Sequence, residues 1–132
     1  MNKINKKVLI LVVEDEKILV NTLEEKLLAE GFDVIKAYNG IDGFALALNE
    51  HPNLILLDLL MPKMDGMSML KELRKDEWGK NVPVIILTNL SASDEERNRD
   101  ITKFEPSYYF MKTDKSLDEI IEKVKEILNI TS

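Results

Sequence analysis

Short unbroken apolar runs alternate along this chain with longer stretches whose apolar residues recur every three or four positions. Val8 to Val13, "VLILVV", is the first run, and it meets Glu14-Asp15. An uninterrupted, β-branched-rich run of this kind predicts a strand buried on both faces. Glu16 to Glu30 then carries Leu19, Val20, Leu23, Leu27 and Leu28 at helical spacing, and Gly31 supplies the stop at a position that favours φ > 0. Asp33 to Tyr38 alternates weakly and reads as a second strand. Asn39-Gly40 has hairpin chemistry, but Ile41, Phe44, Ala45 and Leu48 follow at helical spacing, so the pair reads as a strand-to-helix turn. His51-Pro52 closes that helix, because the residue before proline avoids the α region.

The second half repeats the alternation. Leu54 to Leu57 is a third strand and drives straight into Asp58. Asp65 reads as the N-cap of a third helix that carries Met67, Leu70 and Leu73. Val82 to Leu87 is a fourth strand, with Pro83 tolerated near its start. Ser91 to about Phe104 is a polar fourth helix closed by Pro106, and Ser107 to Met111 is a fifth strand. Ser116 to Leu128 is a fifth helix, with Leu117, Ile120, Ile121, Val124, Ile127 and Leu128 as its stripe and Ser116 and Glu119 as a capping box. Five successive βα units predict an α/β domain: a parallel sheet covered by helices on both faces, joined by right-handed crossovers.

Composition narrows the function. The chain has 132 residues, 45% of them apolar, which suits one domain with a real core. A net charge of −6 disfavours direct binding to nucleic acid or anionic membrane. The absence of cysteine and the single histidine exclude disulfides, thiolate chemistry and a zinc site built from soft ligands. The basic start "MNKINKK" precedes an apolar run too short for a signal peptide or a membrane span, so the expected location is cytoplasmic.

In sheets of this class, ligands bind beyond the carboxyl ends of the strands. There the first strand delivers Glu14 and Asp15, the third Asp58, the fourth Thr88, and the fifth runs up to Lys112. If the first and third strands are neighbours, three carboxylates converge. Their repulsion calls for a divalent cation, and an all-oxygen set suits Mg²⁺. One carboxylate can then act as a nucleophile toward a phosphoryl group, with Lys112 and Thr88 offsetting the charge on the transferring group. Gly40 and Gly43 do not form a phosphate cradle. Asp65 reads as a cap rather than a ligand, Met61, Met64, Met67 and Met69 as gap fillers, His51 as a loop residue, and Trp78 as packing before the fourth strand.

"LVVEDE" at 11–16, "LLDLLMPKMDG" at 56–66, "ILTNL" at 86–90 and "YFMK" at 109–112 together resemble the receiver domain of two-component response regulators. The likeness spans essentially the whole chain and points to a stand-alone receiver of the chemotaxis type. It implies a flavodoxin-like fold: a five-stranded parallel sheet of order 2-1-3-4-5, doubly wound with five helices. It also implies a basic tail at 1–7 and a receiver domain at 8–130. Position by position, Asp58 becomes the phosphoacceptor, Asp15 a direct Mg²⁺ ligand, Glu14 a ligand through water, and the Leu60 backbone carbonyl the remaining protein ligand. Lys112 pairs with the phosphoryl oxygens, Thr88 moves toward them, and Tyr109 is the aromatic switch that follows Thr88. The resemblance implies a sensor histidine kinase or histidine phosphotransfer protein as donor. It further implies an unidentified protein as reader, a response on the face formed by the fourth helix, fifth strand and fifth helix, and a monomer or phosphorylation-dependent dimer.

Three other readings compete. A phosphorylation-independent interaction module would keep the acidic pocket unused. A flavodoxin-like FMN binder needs a phosphate loop that "EDEK" does not supply, and a haloacid-dehalogenase-like phosphatase needs an aspartate where Leu60 stands. Two departures from the family pattern also matter. Thr113 replaces the usual proline after Lys112; a cis bond there costs about 3 kcal/mol, so the expectation is a trans bond, or a strained cis bond held by the site. Asn89 replaces a small residue after Thr88, which predicts slower dephosphorylation than in Asn89→Ala. The segment before the fifth strand lacks the usual Gly-Ala turn, so the face around the fourth helix is expected to be unusual.

Overall fold

The structure, a computed structural model, describes residues 7–59, 61, 64–88, 108–111 and 116–129, with 88 and 108–111 described as backbone only. Nine elements follow in chain order: β1 (Leu9–Val13), α1 (Lys17–Ala29), β2 (Asp33–Ala37), α2 (Gly40–Glu50), β3 (Leu54–Asp58), α3 (Gly66–Lys75), β4 (Val84–Thr88), β5 (Tyr108–Met111) and α4 (Leu117–Ile127). α4 is the fifth helix expected from sequence. The fourth, at 91–104, lies outside the described residues.

All five strands are parallel and lie in the order β2-β1-β3-β4-β5. Because successive strand residues point to opposite faces, the apolar runs feed two cores. Leu11, Val13, Ile55, Leu57, Val84 and Ile86 pack with Met69, Leu70 and Leu73 of α3 and Ala47 of α2. Ile10, Val12, Leu54, Leu56, Ile85 and Leu87 pack on the other side with Val20, Leu23 and Leu27 of α1 and Ile120, Ile121 and Val124 of α4. This double burial is why the strands read as continuous apolar runs rather than alternating ones.

Local chemistry ends the elements as expected at several points. Gly31 leaves α1 at φ +93. The Asp65 side chain accepts from the Ser68 N–H at 2.8 Å, and Ser116 accepts from the Glu119 N–H at 3.3 Å. His51 caps α2 in the left-handed region, at φ 46 and ψ 61, immediately before Pro52.

Three expectations need correction. β4 begins at Val84, after Pro83, whose carbonyl still accepts from the Ile55 N–H at 3.0 Å. Leu28, assigned to the inner stripe of α1, is 50% exposed, because the sheet-facing line runs through Val20, Leu23 and Leu27. Of the apolar residues read along α2, Phe44 packs partly buried against the core and Leu48 is half-buried, whereas Ile41 and Ala45 are exposed. Gly40, Gly43 and Ala47 are buried instead, since small residues let this helix sit close to its neighbours.

Candidate functional site

The strand order reverses between β1 and β3, and in open α/β sheets the crevice at such a switch point is where ligands bind. Val13 is level with Leu57 across these two strands. The next residues, Glu14 and Asp58, therefore stand side by side at the carboxyl edge of the sheet, with Asp15 one step beyond. Carboxylate oxygens of Glu14, Asp15 and Asp58 all lie within 4.8 Å of one another. Glu14 and Asp58 are buried and Asp15 is exposed.

Backbone contacts fix each part. The Glu14 N–H donates to the Ala37 carbonyl at 3.0 Å, which ties the end of β1 to β2. Glu14 Oε2 accepts from the Glu16 N–H at 3.0 Å, across the turn into α1. That bond holds the carboxylate at the positive end of α1. After Asp58 the chain turns back, and the Gly66 N–H donates to the Leu59 carbonyl at 3.0 Å. A side chain at position 66 would fall 2.1 Å from the Asp58 carbonyl oxygen, so α3 starts directly against the peptide of Asp58.

The donor set is chemically uniform: three carboxylates, all oxygen, two of them taken out of water. Such a set fits a hard dication and suits Mg²⁺ better than any soft metal. Asp58 is both part of this set and 2% exposed.

Thr88 and Tyr109 are located by their backbones. Asp58 is level with Leu87, so Thr88 ends β4 one residue beyond Asp58, and Tyr109 pairs with Ile86 in β5. Leu60, Asn89, Lys112 and Thr113 lie outside the described residues. Sequence reading missed the stack of His51 on Trp78, with ring centroids 4.4 Å apart and planes 9° from parallel. It lies at the opposite pole of the sheet, and no spacing rule links these two residues. No described helix is long and apolar enough to cross a membrane.

Comparison with known proteins agrees with the geometry. The model of the response regulator receiver domain matches residues 10–125. A stretch of 82 residues, 62% of this chain, is 46% identical to 33% of the probable transcriptional regulator ycf27 of Porphyridium aerugineum. The chain thus spans about a third of the length of the first curated relatives it matches. Among solved structures, a CheY-like response regulator receiver domain protein from Methanospirillum hungatei JF-1 superposes with a TM-score of 0.85 at 27% identity, covering 94% of this chain and 95% of that one. The receiver domain of sensor histidine kinase PA1611 from Pseudomonas aeruginosa PAO1, solved with a magnesium ion coordinated in the active site cleft, superposes at 0.80 and 26% identity over 92% of this chain and 97% of that one. A flavodoxin-like sheet with an acidic trio at its switch point and a match over nearly the full length lead to one conclusion: the chain belongs to the family of response regulator receiver domains, the signalling modules of two-component systems.

Proposed function

We propose that this domain is a phosphorylation-dependent switch in which Asp58 accepts a phosphoryl group from a phosphohistidine. The observation that carries this reading is the convergence of the Glu14, Asp15 and Asp58 oxygens within 4.8 Å. Asp15 would hold Mg²⁺ directly, Glu14 through water, and Asp58 and the Leu60 carbonyl would complete the protein ligands. Bound Mg²⁺ supplies charge neutralisation and a Lewis acid at the phosphoryl oxygens. The chain's own residues do the rest. An oxygen of Asp58 forms the new bond to phosphorus as the phosphorus–nitrogen bond to the donor imidazole breaks, and the imidazole leaves with that electron pair. Burial of Asp58 keeps bulk water from competing for the same phosphorus. Lys112 pairs with the phosphoryl oxygens. Water later attacks the acyl phosphate, and the slow hydrolysis resets the switch.

Thr88 stands one residue past the level of Asp58 on the neighbouring strand, which supports its hydroxyl as the group drawn toward the new charge. Tyr109, on the next strand, follows it and changes the packing of β5 and α4. Signalling is then a population shift that a partner reads by preferring one packing. The donor is a sensor histidine kinase or a phosphotransfer protein, the reader is another protein, and the state is monomeric or dimeric according to phosphorylation. Relatives such as ycf27 are named as transcriptional regulators. The acidic charge of this chain argues that any DNA contact belongs to another part of such proteins.

A small phosphodonor with Mg²⁺ should add the mass of one phosphoryl group to the intact chain, and Asp58→Asn should abolish the increase. An unchanged mass in the wild type, or an increase that survives Asp58→Asn, would reject the assignment and favour an interaction module that needs no phosphate.

A further inference from the structure

α2 carries none of the three carboxylates but touches both segments that do. A Cβ on Gly40 would lie 2.0 Å from the Met64 carbonyl oxygen and 2.7 Å from its carbon. A Cβ on Gly43 would lie 2.9 Å from both methyls of Val13 and 3.2 Å from Met69 Sδ. Val13 is the residue before Glu14. Met64 lies on the return of the chain from Asp58, two residues before Gly66, which is itself seated on the Asp58 carbonyl. Positions three apart share one face of a helix, and Gly40, Gly43 and Ala47 are the buried residues of α2. One face of α2 therefore rests on β1 just below the first two carboxylates and on the turn that follows the third.

We propose that the first turn of α2, through Gly40 and Gly43, is a positioning element that sets the separation of the Glu14-Asp15 and Asp58 segments and so the affinity of the acidic trio for Mg²⁺. This inference rests on the reading of the trio as a cation site. The turn is built to hold a fixed position. Asn39 is 8% exposed, its Oδ1 accepts from the Asp42 N–H at 2.8 Å, and its Nδ2 donates to Asp42 Oδ2 at 3.0 Å. A methyl at position 40 meets backbone, which cannot rotate aside. Reaching an ordinary carbon–oxygen separation of about 3.3 Å from 2.0 Å requires a displacement of about 1.3 Å. Mg²⁺ demands near-ideal octahedral geometry with bonds of about 2.0–2.1 Å, so such a displacement between its ligand segments is costly to binding. Position 43 is gentler, because its neighbours are side chains.

The test is thermal unfolding of the full chain over a series of Mg²⁺ concentrations, which yields both the metal-free stability and the Mg²⁺ affinity. Gly79 is the control. Its Cβ would lie 2.3 Å from the Leu73 carbonyl oxygen, an equally tight approach in the connection after α3 at the other pole. Gly40→Ala should weaken Mg²⁺ binding about tenfold, as outer-shell changes at metal sites do. It should also raise the Mg²⁺ concentration for half-maximal phosphorylation. Gly43→Ala should weaken binding less, and Val13→Ala in the same chain should restore it by removing the methyls that crowd the new one. Gly79→Ala should lower the melting temperature and leave Mg²⁺ affinity within about twofold. If Gly40→Ala does not fold, the Gly43 single and double variants decide. Wild-type affinity in both alanine variants, or equal losses in Gly79→Ala, overturns the positioning role while leaving the cation site standing. A wild-type chain that Mg²⁺ does not stabilise overturns the site and this inference together.

Discussion

On the flank where α1 meets β2 and α4, acids face lysines. Glu24 pairs with Lys36 at 3.0 Å, Asp118 with Lys26 at 2.9 Å, and Glu30 with the nearly buried Lys125. At the ends of β1 and β3, three carboxylates gather within 4.8 Å of one another. The flank arrangement supports the fold modestly, as ion pairs near a surface do. Within the trio, like charges at close range repel, a term that works against the fold. A fold that places opposite charges together on one side and like charges together on the other keeps the second arrangement for something other than stability. Local rules are most often broken where a site does work.

Four measurements would break or sharpen this contrast. The largest effect belongs to Mg²⁺ itself. At about a hundredfold excess over its Kd it should stabilise the wild type by about 2.7 kcal/mol in urea unfolding, and Asp15→Asn should lose most of that gain. Next is Asp58→Asn without Mg²⁺. Removing one of three like charges that lie within 4.8 Å of one another should raise stability by about 1 kcal/mol, the order of the repulsion between two unit charges about 4 Å apart in bulk water. A loss of stability would erase the contrast.

Lys125→Met should act in the opposite direction, with a smaller fall in the urea midpoint. Its pH dependence is distinctive. The hydrogen bond to Glu30 holds the Lys125 pKa above the ordinary lysine value, against the desolvation that lowers it. A pKa raised by folding contributes stability that is fully present below the unfolded-state value and is lost as pH rises through the folded-state value. The gap between wild type and Lys125→Met should therefore stay constant through neutral pH and close only in the alkaline range above ordinary lysine titration. Lys36, raised mainly by its hydrogen bond to Glu24, should follow the same sign. Smallest of all is Lys26→Met. This exposed pair should shift stability by less than about 0.5 kcal/mol, and the shift should vanish near 1 M salt, where the screening length is about 3 Å.

Much of the fold was legible because burial on both faces writes long apolar runs. Leu54 to Leu57 and Val8 to Val13 are marked by composition alone, and caps such as Asp65 and Ser116 follow from their side-chain oxygens. The trio was legible for a related reason: a charge that ends an apolar run has a known address at the sheet edge. α2 was harder to read. Hydrophobicity points to Ile41, Phe44, Ala45 and Leu48, of which Phe44 packs against the core, whereas the closest packing selects Gly40, Gly43 and Ala47, and smallness carries no strong signal in a sequence. Lys125 was missed because a lysine beside an apolar stripe reads as solvated. Only the fold brings Glu30, at the C-terminal cap of α1, to meet it.

The most direct test of the central claim is an Mg²⁺ titration followed by backbone amide shifts in the full chain. The account predicts saturable shifts concentrated at Glu14, Asp15, Asp58 and Leu59, with little change at Glu24, Glu30, Lys125 or Asp118. Weak, non-saturating shifts spread evenly over both regions, or shifts centred on the flank, would contradict it.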